Sequence, residues 1–313
     1  MNKYGKPFKA CPICGNKDIF LWKSKNHTYT KSLDETKFDI FKCRYCKSGF
    51  LSPPPSGEFI KMIYKYSGHA LVQPISLMEV LKKEKEYPNT TIDAKRIVEN
   101  ADKLLPVDIK HRIALDIGSG YGFYTKCLRE LGYQTYSVNP GKYENLVFEE
   151  LNGYLPIAAF FEEVTFAENF SIIIMSQVLE HIVNPQETIK KINKIMVRNG
   201  VLAIAVPNFD SFSVKMFNTR DNSCLWVPEH VNFFTKKGLF SLLSSNGFEV
   251  IKIEYITRIP YYSLSNRLKV KKIFSRKLLN WGVKIIQIPF CSFFNRIGWS
   301  LYINIYAQKK YEI

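Results

Sequence analysis

Leu115-Asp116-Ile117-Gly118-Ser119-Gly120-Tyr121-Gly122 is a short apolar strand that breaks into a glycine-rich turn, and a helix is expected over Phe123 to Leu131. Glycines at 118, 120 and 122 permit a sharp turn and close backbone approach to a ligand, while the helix start offers unpaired N–H donors. Such a turn suits a nucleotide-type cofactor. Alone it is a weak signal, because glycine-rich strand-to-helix turns hold many ligands and sometimes none.

The spacing downstream strengthens it. Tyr133 to Val138 reads as a second strand whose end carries Asn139, where a ribose-binding acid usually sits. Phe170 to Met175 is a continuous apolar strand ending in Ser176-Gln177-Val178-Leu179-Glu180-His181, and Asn184-Pro185 opens a helix from Gln186 to Val197 that Asn199-Gly200 should end. Val201 to Val206 is the next buried strand, stopped by Pro207. Apolar strands alternating with helices specify a parallel sheet covered on both faces.

With these residues in view, the chain resembles the class I S-adenosylmethionine-dependent methyltransferases. The resemblance rests on Leu115 to Gly122, Val178-Leu179-Glu180-His181 with Asn184-Pro185, Asn199 to Asn208, and Pro228-Glu229-His230-Val231-Asn232-Phe233-Phe234. Within that family it is similar to bacterial sugar and surface-glycan methyltransferases. The resemblance implies an α/β, Rossmann-like seven-stranded methyltransferase sheet with an antiparallel last strand over Trp299 to Gln308. It implies that Asp116 lies under the turn, that Gly118, Ser119, Gly120 and Gly122 line the methionine part of S-adenosyl-L-methionine, and that Phe161, Glu162 and Gln177 flank the cofactor. Asn139 departs from the pattern. Its amide has one acceptor oxygen where a carboxylate has two, a loss of about 1–2 kcal/mol for binding two ribose hydroxyls.

Methyl transfer from a sulfonium is an in-line displacement, so a protein mainly aligns the nucleophile and excludes water. A base is needed for a hydroxyl or ammonium acceptor. His181 and His230 are the candidates, since imidazole titrates near neutral pH. Each could instead order its loop by hydrogen bonding.

Cys11-Pro12-Ile13-Cys14 and Cys43-Arg44-Tyr45-Cys46 form two C-x2-C knuckles separated by 28 residues. Two such knuckles can place four thiolates around one structural zinc, with strands near Ile19 to Trp22 and Phe38 to Phe41 pairing between them. Disulfides or a redox role fit less well with no secretory leader expected and with Cys127, Cys224 and Cys291 scattered in apolar contexts. Gly49 to Pro55 resembles the exit of the zinc ribbon that precedes this methyltransferase subgroup.

The expected organisation is a zinc ribbon over 1–56, a helical connector or lid over 57–105, and a methyltransferase domain over 106–313. In the connector, Ser76 with Glu79 and Thr90 with Asp93 have capping-box spacing, and Ile97, Ala101 and Leu104 form an apolar stripe. No apolar run reaches the roughly 18–20 residues that span a bilayer. The net charge of +16 admits RNA as a partner, but an abundance of Lys, Ile, Asn, Phe and Tyr explains it by composition, and the strand-four turn lacks the motif of base-amine methyltransferases. Basic residues concentrate in an insertion at 262–298, where apolar residues including Phe274 and Trp281 recur at helical spacing. Residues 264–290 could therefore contact an anionic membrane peripherally, or pack internally. The expectation is a cytoplasmic enzyme, with a place at the inner face of the membrane if that contact is made. It would methylate a small acceptor, a hydroxyl of a nucleotide- or lipid-linked sugar in polysaccharide biosynthesis. An RNA methyltransferase and a non-catalytic scaffold that kept the fold are the alternatives.

Overall fold

The near-continuous apolar runs become the centre of a mixed sheet in a computed structural model, which describes residues 3–26, 36–65, 73–86, 89–216, 223–257, 289 and 291–313. The chain opens with β1 (Ile19–Asn26), β2 (Lys37–Cys43) and β3 (Gly49–Leu51), followed by helices α1 (Gly57–Ile63), α2 (Leu77–Glu86) and α3 (Asn89–Leu104). Strands and helices then alternate through β4 (Ile113–Ile117), α4 (Phe123–Glu130), β5 (Gln134–Val138), α5 (Lys142–Asn152), β6 (Phe170–Ser176), α6 (Pro185–Lys194) and β7 (Met196–Pro207). The remaining elements are α7 (Phe212–Met216), β8 (Asn232–Phe233), α8 (Lys236–Ser244), β9 (Phe248–Ile256) and β10 (Tyr302–Lys309).

Among the described residues the main sheet has six strands in the order β5-β4-β6-β7-β10-β9, with β10 antiparallel to both neighbours. This is the expected architecture with one strand fewer among the described residues. Beyond β5 the chain makes a single parallel bridge, Val138 to Ile157. Pro156 has no N–H to extend a ladder there. The Asn199-Gly200 expectation is also corrected: α6 ends at Lys194, and the pair lies inside β7, with Asn199 at φ 60°. Pairing of Met196 with Phe170 begins the strand early, and the left-handed Asn199 absorbs the register shift before Val201 meets Ile172.

Alternate residues of the central strands face opposite layers, as the period of two requires. Leu115, Ile173, Met175, Leu202 and Ile204 pack with Ile189 and Ile192 of α6 and Leu239 and Leu242 of α8. Ala114, Ile172, Ile174, Val201 and Ala203 pack with Ile97, Val98 and Ala101 of α3 and Leu128 of α4, with Leu104 at the edge. The connector stripe therefore covers the sheet. The Ser76–Glu79 capping box forms, with Glu79 Oε2 accepting from Ser76 N at 3.0 Å and Glu79 N donating to Ser76 Oγ at 3.3 Å. The Thr90–Asp93 box does not, because α3 already runs from Asn89 and Asp93 accepts from Arg96.

The cysteine-bearing hairpin is not a separate body. β1, β2 and β3 share a four-stranded sheet with β8, where Gly49 pairs with Phe233 and Phe50 with Asn232. The residues 264–290 lie outside the described residues except 289. No helix among the described residues is long and apolar enough to cross a membrane.

Gly122 shows what the turn demands. It sits at φ +87°, and a Cβ there would come within 2.2 Å of Asn152 Nδ2 and 2.6 Å of Phe148 Cδ2. Gly122→Ala should cost about 2–4 kcal/mol, from left-handed strain plus displacement of α5. Urea denaturation of wild type and variant measures it, and a loss under about 1 kcal/mol would contradict this packing.

Candidate functional site

A cavity of ≈ 470 Å³ opens at the carboxyl ends of β4, β5 and β6, where open α/β sheets bind ligands. Gly118, Gly120, Asn139, Phe161, Glu162, Gln177 and His181 all line it. Its first wall is the glycine turn. Gly118 N and Ser119 N donate to Val138 O at 2.8 and 3.1 Å, and Gly118 lies at φ +70° with the position of a Cβ 2.3 Å from Val178 Cγ2. Only glycine leaves room here for the Val178 side chain.

Asp116, Ser119 and Gly122 stand behind this wall and do not line the cavity. Asp116 Oδ2 accepts from the Thr125 hydroxyl at 2.7 Å, and burial pushes its carboxyl up to about 7. It braces the turn against α4. Ser119 is buried, with its hydroxyl lacking a partner among the described residues. Asn139 is buried and committed to the protein. Its Oδ1 accepts from Gly120 N at 3.4 Å, and its Nδ2 donates to Gly141 O at 3.2 Å and Asn145 Oδ1 at 2.7 Å.

Phe161 and Glu162 lie on a single turn of 3-10 helix, Phe161–Glu163. Phe161 belongs to the core and also forms cavity wall. Lys191 fixes this turn by donating to Phe161 O at 2.6 Å and Glu162 O at 3.0 Å. Gln177, at φ 56°, donates its backbone N–H to Ala205 O at 2.7 Å.

The two histidines stand together, and His181 forms part of the cavity lining. His181 lines it beside Tyr64, and the His181 and His230 rings stand edge to face with centroids 4.8 Å apart. His181 Nδ1 lies 2.8 Å from Glu229 O and 2.7 Å from the Tyr64 hydroxyl. A carbonyl only accepts, so Nδ1 carries the proton and Nε2 keeps its lone pair. The same reasoning fixes His230, whose Nδ1–H donates to Cys224 O at 3.0 Å. Ligand-type atoms of Glu180, His181 and His230 all lie within 4.8 Å of one another.

Burial governs the charges here. It pushes Glu180 up to about 8 and Glu229 up to about 7, and holds His230 down at about 3 with the neighbouring His181 charge adding to the effect. Both Glu180 carboxyl oxygens are buried without a hydrogen-bond partner among the described residues. Burial, then the charges of Glu229 and Glu180, raise the Tyr64 hydroxyl well above its ordinary value.

Because the folded Glu180 holds its proton to about pH 8 and the unfolded chain releases it near 4.5, the stability it contributes is intact below pH 4.5 and lost as pH rises through 8. Glu180→Gln removes that loss. The variant's melting temperature relative to wild type should rise between about pH 5 and 8 and then level off, in thermal melts across that range. A difference independent of pH would contradict it.

The structure brings the two sequence-predicted histidines together and sets beside them Tyr64, Glu180 and Glu229, which the sequence did not single out. The two glutamates directly precede the histidines in sequence, a signal that was available. Nothing local marks Tyr64, which reaches His181 across 117 residues at the end of α1.

The four knuckle cysteines also converge. Cys11, Cys14, Cys43 and Cys46 have their sulfurs within 4.8 Å of one another, including Cys11–Cys46 at 3.7 Å and Cys14–Cys43 at 3.6 Å. A tetrahedron with Zn–S bonds of ≈ 2.3 Å has sulfur edges of roughly 3.8 Å, so the donor set fits zinc.

Among curated proteins, an uncharacterized protein of Methanocaldococcus jannaschii is 27% identical over 178 residues, covering 56% of this chain and 83% of its own length. Among solved structures, the O-methyltransferase of a trans-AT polyketide synthase from Brevibacillus brevis, in complex with S-adenosyl-L-homocysteine, is 16% identical with a TM-score of 0.47, covering 76% of this chain and 81% of that one. The magnesium protoporphyrin IX methyltransferase of Synechocystis, with SAH bound, is 12% identical with a TM-score of 0.45, covering 71% and 84%. The family model described as a methyltransferase domain matches residues 91–253, more than half of the chain and the whole run from α3 through β9's central residues. On that match the chain belongs to the methyltransferase-domain family.

Proposed function

We propose that this methyltransferase uses S-adenosylmethionine to methylate a hydroxyl of a nucleotide- or lipid-linked sugar, with His181 as the base. The observation that carries the reading is one cavity lined both by the glycine turn and by the His181–Tyr64 pair. Its ≈ 470 Å³ lies in the usual range for small-molecule sites, and Gly118 and Gly120 contribute to its lining. When bound, the cofactor supplies an electrophilic methyl group.

The protein's own part is positioning and proton removal. Gly118, Gly120 and Gln177 line the cofactor end, and Phe161 and Lys191 shape the wall beyond them. With Nδ1–H held by the Glu229 carbonyl, His181 Nε2 is the nitrogen that would take the acceptor's hydroxyl proton. The imidazolium so formed would sit against Glu180, whose buried carboxyl is ready to counter it by ionising. We also infer that the four cysteines hold a structural zinc, because four thiolates leave no open position for chemistry. The sugar class rests on the sequence resemblance.

Isothermal titration with S-adenosylhomocysteine tests the cofactor, and transfer of labelled methyl to sugar nucleotides, lipid-linked sugars and RNA tests the acceptor. Micromolar binding followed by labelled sugar supports the reading. No binding by wild type sinks the enzyme, and label in RNA alone replaces the sugar with a nucleic acid.

A further inference from the structure

We infer that Glu180, His181 and His230 form a second metal site, for a zinc-like divalent cation of the first transition row, and that a cation held there stops methyl transfer. The site itself rests on the side chains, and its effect on transfer rests on His181 as the base proposed above. One donor atom from each of the three residues lies within 4.8 Å of the others. Bonds of about 2.0–2.2 Å to imidazole nitrogen and carboxylate oxygen set ligand-to-ligand edges of roughly 3.4 Å, so the set closes modestly around one ion.

Two observations point to a cation rather than to packing. Glu180 is 1% exposed, and neither of its carboxyl oxygens has a hydrogen-bond partner among the described residues. Protonation does not resolve this, because a carboxylic acid brings an O–H that also needs an acceptor. A cation on the carboxylate does resolve it, since buried charges are paired or coordinate metals. The second observation is the setting of the imidazoles. Each anchors its Nδ1–H on a backbone carbonyl, His181 on Glu229 O at 2.8 Å and His230 on Cys224 O at 3.0 Å. Metal-binding histidines are held in this way, with the tautomer fixed and Nε2 presented as the ligand atom. Two imidazoles and a carboxylate are a zinc-type donor set, whereas magnesium and calcium take oxygen ligands. Of the three residues only His181 lines the cavity. The lone pair that would take the acceptor's proton is thus the one a cation would occupy, and the bound ion switches the base off.

The test uses the full chain with its cysteine cluster loaded with zinc. In equilibrium dialysis, cobalt(II) should bind as one further equivalent at micromolar metal, with d–d bands and no thiolate-to-cobalt charge transfer, and millimolar magnesium should not displace it. Glu180→Gln and His230→Asn should each weaken cobalt binding by at least about 100-fold, since even outer-shell changes cost about 10–100-fold, and thermal melts show that each variant is folded. No further equivalent in wild type overturns the site, and this arm needs no variant to fold. Cobalt binding that both variants retain, or a spectrum with the thiolate band alone, overturns it as well. In the labelled-methyl assay saturating cobalt should lower transfer by more than about tenfold, and unchanged or faster transfer overturns the inhibitory effect. Dialysis needs no acceptor, so a failure of the methyltransferase reading and a failure of the site are told apart.

Discussion

His181→Ala should lower kcat by roughly 10²–10⁴-fold while leaving S-adenosylhomocysteine affinity within about threefold. The asymmetry follows from where the ring sits. It lines the cavity without belonging to the glycine turn, and with its Nδ1–H bonded to the Glu229 carbonyl, Nε2 is the nitrogen proposed to meet the acceptor. Removing the ring leaves Gly118, Gly120 and Gln177 untouched. His230→Asn should cost less, about tenfold, because an amide N–H can still reach Cys224 O while the ring against His181 is lost. Steady-state kinetics with the acceptor found by the labelling screen, beside titration of the product, separates the two effects. Full activity in His181→Ala would remove the base assignment, and equal loss of binding and turnover would make His181 a structural residue.

Cys46→Ala should abolish stoichiometric zinc and destabilise the protein by more than about 4 kcal/mol, since structural zinc contributes folding energy outright. The loss would not stay in the ribbon. Cys11, Ile13, Cys43, Cys46 and Phe50 belong to the same buried cluster as Leu239 and Leu242 of α8. Thr235, which caps α8 by accepting from Gly238 N, donates its hydroxyl to Cys46 O at 2.7 Å, and its N–H goes to Ser48 Oγ at 3.1 Å. β3 pairs with β8, two residues from His230. Metal analysis should find one zinc per chain, and chelation should lower both the melting temperature and the activity. A zinc-free wild type with an unchanged melting temperature in Cys46→Ala would remove the metal from the account.

The local code was legible where chemistry and spacing act over short distances. Glycines 118, 120 and 122 stand at φ values of 70°, 51° and 87° because the strand-to-helix turn needs that freedom, and the residue type announces it. The apolar runs of β4, β6 and β7 announce a doubly covered sheet for the same reason. Two C-x2-C knuckles announce convergence of four sulfurs, since each pair is already adjacent before folding. Ser76 and Glu79 cap α2 within three residues of each other.

What the tertiary structure decided lies where a residue's role depends on a partner distant in the chain. Asn199-Gly200 has the chemistry of a helix stop, but pairing with β6 draws it into a strand. Asn139 looks like a weakened ribose ligand until Asn145 and Gly120 are seen to occupy its amide. Tyr64 meets His181 only because the end of α1 is brought to the cavity, and the segment before β8 is tied to the buried Glu180 through Val231 N–H to Glu180 O. The sheet, the glycine turn and the cysteine cluster could be read from residue type and spacing, because all are properties of neighbours along the chain. The partners of Asn139, His181 and Glu180 came instead from the packed fold, because burial and long-range hydrogen bonding set them and neither is written in local spacing.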